Sequence, residues 1–507
     1  VSEEGDEEGV LKDAGDLGKT EAELIAARRN NLAALRSRGA DPFAATRFDV
    51  NTTAREIAAQ HDALEKGEEA PEHAVRIAGR IVSVRKMGKA FFADLEDRTG
   101  RIQVYLRKDA IGDEAFDIFD QLDRGDLAGV EGFPFRSKMG ELTVRVARLQ
   151  VLGKALLPLP DKWHGLVDVE KRYRQRYVDL IVNPEVRDVF VKRTQIVAAL
   201  RRFLDARGFF EVETPVMLQV AGGASARPFR THHNALDMNL DLRIATELNL
   251  KRLIVGGLER VYELGRIFRN EGIDTKHNPE FTMLELYAAY WSAAEMMDFN
   301  EEMLAHLVTV VNANDVLEYA GRNISFKRPF ARVAYFDAMK RWGNLDRARL
   351  LDPAGAQQTL AQLGLPASPS HGHALDKIFE AVIEPNLVDP TFVYDYPVAI
   401  SPLAKRKADD PELVDRYELF ITHMEVINAF SELNDPDDQR ARFEAQVRER
   451  AAGDDEVPPP DWDFVTALEY GMPPTAGMGM GIDRLVMLLT NNTSIRDVIF
   501  FPLQRPL

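Results

Sequence analysis

The chain contains no cysteine, which at once excludes a disulfide scaffold, a zinc finger, an iron–sulfur cluster and a cysteine nucleophile. It has no continuous apolar run long enough to span a bilayer as a helix, so no membrane segment is expected. The first residues are acidic and polar and resemble neither a secretory signal nor an arginine-rich transit peptide. Together these absences predict a cytoplasmic protein. Positive charge is in short supply as well. The 64 Lys and Arg residues face 81 Asp and Glu, a net charge of −17, which argues against indiscriminate nucleic-acid binding but leaves room for a local basic face. What is present is ordinary for a globular protein, with 45% hydrophobic and 29% charged residues. At roughly 150 residues per domain, 507 residues predict two to four domains.

Residues 1–18 carry Glu3, Glu4, Asp6, Glu7 and Glu8 and read as a solvated, mobile tail. A helical extension is expected over 19–72. Thr20 and Glu23 form a capping-box signature there, and Gly39 followed by Pro42 closes the segment. Leu24, Ile25, Arg28, Leu32 and Leu35 mark the helix between them, with Arg28, Arg29, Arg36 and Arg38 predicted to be exposed. That helix either docks on its own domain or adds a basic surface for RNA.

Over 73–153 the pattern changes to short alternating segments that begin at Val75, Ala90, Arg101, Leu127 and Leu142. With a helix-like stretch, Glu114–Leu122, between the third and fourth, they predict a five-stranded β-barrel of the OB type. Between residues 80 and 109, eight basic residues face four acidic ones, a local +4. A basic barrel face with an outward Phe suits single-stranded nucleic acid, because phosphates need cations and bases need a stacking surface. Phe91 and Phe92 are adjacent on a strand, so one of them faces outward.

Pro158 and Pro160 mark a hinge expected over 154–180, which ends in the basic run Lys171, Arg172, Arg174 and Arg176. The remainder, 181–507, mixes long helices (Val186–Arg207, Ala293–Asn312, Leu375–Glu384) with strands. It lacks the regular alternation of a doubly wound sheet. An α+β domain on an antiparallel sheet flanked by helices is predicted. A Pro-, Ala-, Gly- and Ser-rich stretch over 344–371 reads as an inserted surface subdomain.

Three stretches of this region carry chemistry. The first runs from Arg260 to Glu271, continues through a loop to His277, and resumes at Phe281, Met283, Glu285 and Tyr287. Both flanks alternate with a period of two, so a hairpin is expected to present an anion-clamping Arg269, Glu271, an aromatic plate and a carboxylate–phenol pair. The second is Gly477-Met-Gly-Met-Gly481-Ile-Asp-Arg484. Its alternate glycines clear one face of a strand for a flat ligand, and Arg484 falls in the first turn of the next helix. The third is a hairpin turning at Thr422-His423. Glu418 and Glu425 lie across that turn as a candidate Mg²⁺ pair, and Asn428 and Glu432 share one face. There is no Walker A sequence, no Gly-x-Ser-x-Gly and no His-Glu-x-x-His. Activation of a small acid by ATP on an antiparallel sheet is the physical summary. The surplus of carboxylates at Glu247, Glu285 and Glu432 points to a cationic substrate.

These stretches resemble the signature motifs of the class II aminoacyl-tRNA synthetases. Gly208-Phe-Phe-Glu-Val-Glu-Thr-Pro215 resembles motif 1, Phe268-Arg269-Asn-Glu271 through Phe281 motif 2, and Gly479-Met-Gly-Ile-Asp-Arg484 motif 3. Within that class the lysine-specific family is the nearest. Lys162-Trp-His-Gly-Leu166, Arg172-Tyr-Arg-Gln-Arg-Tyr177, Gly222-Gly-Ala-Ser-Ala-Arg-Pro-Phe229, His232-His-Asn-Ala-Leu236 and Phe430-Ser-Glu-Leu-Asn-Asp435 are similar to it. The match runs over roughly 70–507.

The resemblance implies that ATP and L-lysine are joined as an adenylate before transfer to tRNA(Lys). Arg269 and Arg484 would be catalytic. Arg269, Glu271, His277, Phe281 and Arg484 would bind ATP, the last two sandwiching adenine. Gly223 and Glu247 would hold the α-amino group of lysine, Asn428 its carboxylate, and Glu285, Tyr287 and Glu432 its ε-ammonium. Glu418 and Glu425 would bind Mg²⁺. Phe92 and Gln103 would read the anticodon, with Arg85 and Glu141 as further candidates, and the Pro215 region would form a homodimer interface. The sequence departs from the family pattern at Asp241 and Asn249, usually Tyr, at Thr246, usually Pro, and at Ile427, usually a small residue.

Other readings differ on stated residues. An aspartate or asparagine enzyme needs a cation where Glu285 and Glu432 stand. A ligase acting on protein acceptors usually lacks the barrel. A silent RNA-binding relative would have lost Arg269, Arg484 or the Mg²⁺ carboxylates.

Overall fold

A computed structural model describes residues 10–11, 19–160, 166–224, 226–451 and 459–506. Most of the expected mobile tail, the signature residues 162–165 and Ser225 lie outside the described residues. The chain divides into two compact units, Val1–Gly165 and Leu166–Leu507. Among the described residues no helix is long and apolar enough to cross a membrane.

In the first unit, β1 (Val10–Leu11) pairs antiparallel with β2 at Lys86 and Arg85. Two residues of the expected tail thus extend a sheet, because the edge of β2 offers unpaired main-chain groups. Helix α1 (Glu21–Ser37) starts at the capping box, where the Thr20 N–H donates to Glu23 Oε2 at 2.7 Å. Arg28 corrects the expectation of an exposed side chain. It is buried and donates to the carbonyls of Ala155 (2.9 Å) and Arg124 (3.0 Å), so its charge is met by main-chain acceptors. Arg29, Arg36 and Arg38 remain exposed.

After α2 (Ala54–Gln60) come β2 (Val75–Met87), β3 (Ala90–Glu96), β4 (Arg101–Arg107), α3 (Lys108–Asp120), β5 (Leu127–Arg136) and β6 (Leu142–Gly153). The strands run in the order β2-β3-β4-β6-β5, and β5 pairs back onto β2 to close an OB-type barrel. Alternation on β3 decides between its two phenylalanines. Phe91 is fully buried and packs on Phe116 and Phe119 at 4.7 and 5.1 Å, while Phe92 lies on the other face.

The second unit is α+β. Helices α4 (Val169–Arg174), α5 (Arg176–Val182) and α6 (Pro184–Asp205) open it, so the stretch expected as a hinge is helical from Val169 onward. Arg176 is buried there and donates to the carbonyls of Phe500 (3.0 Å) and Arg496 (2.8 Å). Next come β7 (Phe210–Glu211), β8 (Met217–Leu218), β9 (Arg230–His233), β10 (Met238–Leu242), α7 (Glu247–Val255), β11 (Arg260–Phe268) and β12 (Glu280–Ala289). Then follow α8 (Ala293–Val311), β13 (Val316–Tyr319), β14 (Arg322–Ser325), β15 (Ala331–Ala334) and α9 (Tyr335–Gly343).

The expected insertion holds α10 (Arg347–Leu351) and α11 (Pro353–Gln362), followed by α12 (His371–Val382). Leu350, Ala356 and Leu360 are fully buried together with Leu375 and Ile378. This stretch is therefore a packed helical layer. The remaining elements are β16 (Thr391–Pro397), β17 (Leu413–Ile421), β18 (Met424–Ser431), α13 (Pro436–Ala451), α14 (Trp462–Glu469), β19 (Thr475–Gly481) and α15 (Ile482–Leu489).

Eight strands form the main sheet in the order β15-β16-β17-β18-β19-β12-β11-β7, antiparallel throughout except at its two edge pairings. The period of two sorts its central strands. Leu284 and Leu286 of β12, Met478 and Met480 of β19, Ala429 of β18 and Leu419 of β17 enter one core with residues of α6, α8 and α15. Their neighbours Glu285, Tyr287, Gly477, Gly479, Asn428 and Glu418 line a cavity on the opposite face. Alternation along these strands thus sends successive side chains mainly to the core and to the cavity in turn.

Replacing Phe91 by Ala should destabilise the barrel by about 3–5 kcal/mol, the usual cost of emptying a buried aromatic site. Phe92→Ala should cost only about 1 kcal/mol. Urea unfolding of the whole chain, read through hydrogen exchange of barrel peptides, measures both, and equal losses would mean that both rings are core.

Candidate active site

The sheet register lays the site out in rows. Glu418 pairs with Asn428, Asn428 with Gly479 and Gly479 with Glu285. Two residues away along the chains, Arg416 pairs with Phe430, Phe430 with Gly477 and Gly477 with Tyr287. Neighbouring strands lie about 4.8 Å apart, so Glu418 and Glu285 stand about 14 Å apart at opposite ends of a row. Glycine occupies the middle in both rows. Gly477 and Gly479 have different reasons to lack a side chain. At Gly477 a methyl group would collide with Glu432 Oε1 and the Tyr287 ring, whereas at Gly479 the nearest atom to a methyl would be Met283 Sδ at 3.8 Å. Gly477 lets two side chains cross the strand, and Gly479 leaves open floor.

The cavity over these rows has a volume of about 740 Å³. It brings together all thirteen residues expected on this unit: Gly223, Glu247, Arg269, Glu271, His277, Phe281, Glu285, Tyr287, Glu418, Glu425, Asn428, Glu432 and Arg484. Its two ends differ in charge.

At the acidic end, Glu285 Oε1 accepts the Thr246 N–H at 3.0 Å, and Glu285 Oε2 accepts the Tyr287 hydroxyl at 3.3 Å. Burial, with repulsion from Glu247, pushes the Glu285 carboxyl up to about 7. Burial also holds Glu432 well above the usual carboxylate range despite the pull of Lys251, and Glu247 and Glu285 add to the rise. Lys251 was not foreseen. Its fully buried ammonium lies 2.5 Å from Glu247 Oε1 and pairs with Glu432 Oε2. Burial works against its charge, but the two carboxylates outweigh it and its pKa is raised.

At the other end cations gather. The Arg269 guanidinium sits 5.3 Å from the centre of the Phe281 ring, and its Nε donates to the Ile244 carbonyl at 3.4 Å. Arg484 donates to the Glu425 carbonyl at 2.8 Å and meets His277 Nε2 at 3.0 Å, while His277 Nδ1 contacts Asp274 at 2.8 Å. The cation over Phe281 is therefore Arg269, and Arg484 is tied to His277 and β18. Glu271 is exposed in the loop.

Glu418 is more enclosed than its hairpin position suggested. It pairs with Arg416 and accepts from Tyr396 at 2.8 Å and from the Asn428 amide at 3.2 Å. Burial pushes it up to about 7, Arg416 opposes the shift, and Glu425 adds to it. Asn428 thus bridges Glu418 and Arg416, whose Nε lies 3.2 Å from Asn428 Oδ1. Helix α12 adds His373, Asp376, Lys377 and Glu380 to the wall, with Asp376 raised by burial to about 6.

One end of the cavity therefore suits an ammonium-bearing molecule, and the other suits phosphates with a compensating cation. On the first unit, register sets another row: Arg85, Phe92, Tyr105 and Arg145 lie side by side across four strands. Phe92 stacks on Tyr105 at 4.5 Å, and Arg145 lies over Phe135 at 4.8 Å. Gln103 departs from the expectation of an open reader. It is buried, its amide donates to Glu141 Oε2 at 2.7 Å, and its carbonyl accepts from Thr143 at 3.0 Å.

Comparison with known proteins decides the family. A model described as tRNA synthetases class II (D, K and N) matches residues 168–505, and one described as OB-fold nucleic acid binding domain matches 75–152. The chain is 54% identical over 490 residues to a lysine–tRNA ligase of Moorella thermoacetica, covering 96% of this chain and 99% of the relative. A lysine–tRNA ligase of Pelotomaculum thermopropionicum is 54% identical over 488 residues, with 96% and 95% covered, and one of Halalkalibacterium halodurans 52% over 486, with 95% and 97% covered. The chain belongs to the lysine–tRNA ligase family of class II synthetases.

Within that family the four departures fall in different environments. Asp241 pairs with Leu218 and Arg230 on the small sheet, Ile427 points into the hydrophobic core, and neither they nor Asn249 line the cavity. Thr246 alone touches the acidic end, and it does so through an N–H that proline lacks.

Tyr396 and the α12 residues escaped sequence reasoning because they come from separate elements with no local motif, whereas Arg416 had a signal, two residues before Glu418 on the same strand face. Lys251 had one signal, its spacing of four from Glu247 on a helix, which ordinarily marks a solvated pair.

Gly477→Ala should displace Glu432 and Tyr287 and lower the melting temperature well below that of Gly479→Ala. Calorimetry on the two variants checks this, and matching temperatures would mean that the crossing of side chains over Gly477 carries no strain.

Proposed function

We propose that the protein joins L-lysine to the 3′ end of tRNA(Lys) in two steps. The lysine carboxylate attacks the α-phosphorus of ATP, giving lysyl-adenylate and pyrophosphate. A hydroxyl of the terminal ribose of the tRNA then attacks the acyl carbon, giving the ester and AMP. The observation that carries this reading is the single cavity with carboxylates at one end and arginines at the other, over a floor of glycine.

Glu285, Tyr287 and Glu432 take the ε-ammonium, Glu247 and the Gly223 backbone the α-ammonium, and Asn428 faces the carboxylate. Arg269 clamps the α-phosphate and balances charge as it develops there. Glu271 accepts from the adenine amino group, Phe281 stacks on the base, Arg484 closes its other face, and His277 approaches the outer phosphates. No protein nucleophile is required, because positioning and charge compensation drive the displacement. The competing aspartate and asparagine readings need a free cation at the acidic end. Lys251 does not supply one, since Glu247 and Glu432 engage it.

The family's chemistry calls for a divalent cation with ATP, and the donor set here fits one. Glu418 and Glu425 both line the cavity, and the Glu425 charge adds to the rise that burial imposes on Glu418. Among the described residues no set of three or more candidate protein ligands is gathered. Two carboxylate ligands leave positions for the waters and substrate phosphates that Mg²⁺ keeps in its shell. Glu418 and Glu425 would hold it, and bound there it would neutralise charge on the departing pyrophosphate.

The basic and aromatic row on the barrel, with Arg85 and Phe92, offers stacking and charge to an unpaired anticodon, and Gln103 with Glu141 forms the polar pair beside it. A homodimer through the Pro215 region is favoured by exposed apolar side chains there, Phe210 at 63% and Met217 at 55%. Work in the cytoplasm accords with a tRNA substrate.

ATP–pyrophosphate exchange with Mg²⁺, run with each of the twenty amino acids, should proceed with lysine alone. Exchange with aspartate or asparagine instead would overturn the pocket assignment. Glu432→Gln should raise the KM for lysine about tenfold or more, the scale of a lost charge-assisted bond, with little change for ATP. In the unchanged enzyme the lysine KM should fall as pH rises from 6 to 8. Glu285, at about 7, must be ionised to receive an ammonium, whereas lysine keeps its ε-charge throughout this range. A flat profile would remove Glu285 from that role. Phe92→Ala should slow tRNA charging several-fold and leave exchange intact, and a parallel fall in exchange would refute a separate barrel role.

A further inference from the structure

Lys251 has no part in the scheme above, yet its ammonium touches two of the groups that the scheme uses. It is 0% exposed and does not line the cavity. Its Nζ pairs with Glu247, at the α-amino end, and with Glu432, at the ε-ammonium end. The rings of Phe430 and Phe464 close around it, with centres 5.4 and 5.7 Å away. Glu285, Tyr287 and Arg269 complete the charged and titratable neighbourhood of the acids.

Two consequences follow from this placement. Three buried carboxylates would carry three negative charges, and one captive ammonium reduces them to two. Lysine brings two ammonium groups that offset those two charges, while its own carboxylate lies toward Asn428, away from the three acids. The single cation also spans both subsites, so it fixes the separation between the group that takes the α-ammonium and the group that takes the ε-ammonium.

We propose that Lys251 is a positioning residue that sets both the charge and the length of the amino-acid pocket by tethering Glu247 to Glu432. The assignment rests on the lysine reading above. Lysine-dependent exchange by the unchanged enzyme tests that reading separately: if it is absent, the reading itself fails.

The experiment is ATP–pyrophosphate exchange by Lys251→Met, with lysine and with ornithine, which is one methylene shorter. The KM for lysine should rise about tenfold or more, while the KM for ATP and kcat stay within about threefold. The preference for lysine over ornithine, measured as the ratio of kcat/KM values, should narrow by about tenfold, the scale of one methylene in a shaped pocket. An unchanged lysine KM, an equal rise for lysine and ATP, or an unaltered preference would each overturn the proposal.

Circular dichroism melts accompany the variants. If Lys251→Met does not melt cooperatively, Lys251→Gln carries the same measurements. Failure of both variants to fold in saturating lysine would make Lys251 a purely structural ion-pair member and also overturn the proposal.

Discussion

Antiparallel pairing of β12 with β19, and of β19 with β18, places glycine at the centre of each functional row. Because side chains alternate with a period of two, a slip of one residue would send Glu285 and Tyr287 into the apolar core. The same slip would bring Leu284 and Leu286 up into the cavity. The penalty on both faces pins the register. The core formed with α6, α8 and α15 thus does more than stabilise the sheet, because it determines which residues face the substrate and in what order.

Charge is the second constraint. The cavity holds more carboxylate than its own cations can balance, and Glu285, Glu418 and Asp376 all sit above their ordinary range because burial disfavours their ionised forms. A site in this state is completed by its ligands. An ammonium at one end and a metal–phosphate unit at the other restore the missing compensation, so affinity for the two substrates and the protonation of the empty site are thermodynamically linked.

Much of this was legible in the sequence because it was written in local patterns. The alternation around Phe281–Tyr287, the glycines at 477, 479 and 481 and the capping box at Thr20 each depend on residues a few positions apart, which strand and helix geometry convert directly into shared faces. The barrel and the antiparallel domain followed from the same periodicities. What escaped depends on contacts between distant segments. Arg28 looked like a surface helix cation and instead satisfies carbonyls at Arg124 and Ala155. Gln103 looked like an open reader until Glu141 and Thr143 closed around it. The Pro-, Ala-, Gly- and Ser-rich stretch over 344–371 read as an inserted surface subdomain without assigned elements, and Leu350, Ala356 and Leu360 are the apolar anchors on which its helices pack.

The turn between β17 and β18 shows how geometry is held where sequence offers little help. Thr422 and His423 both adopt positive φ, at 50° and 63°, in a position where glycine or asparagine would be at ease and a β-branched residue is not. Their N–H groups donate to Val388 and Leu387, His423 Nδ1 meets the Glu384 carbonyl at 2.9 Å, and Lys276 reaches the His423 carbonyl at 3.3 Å. A glycine pair would make this turn easier to form and easier to deform. The residues actually present resemble a bent spring held by clamps. The loop that carries His277 is itself one of those clamps, so through Lys276 it braces the turn of the hairpin bearing Glu418 and Glu425.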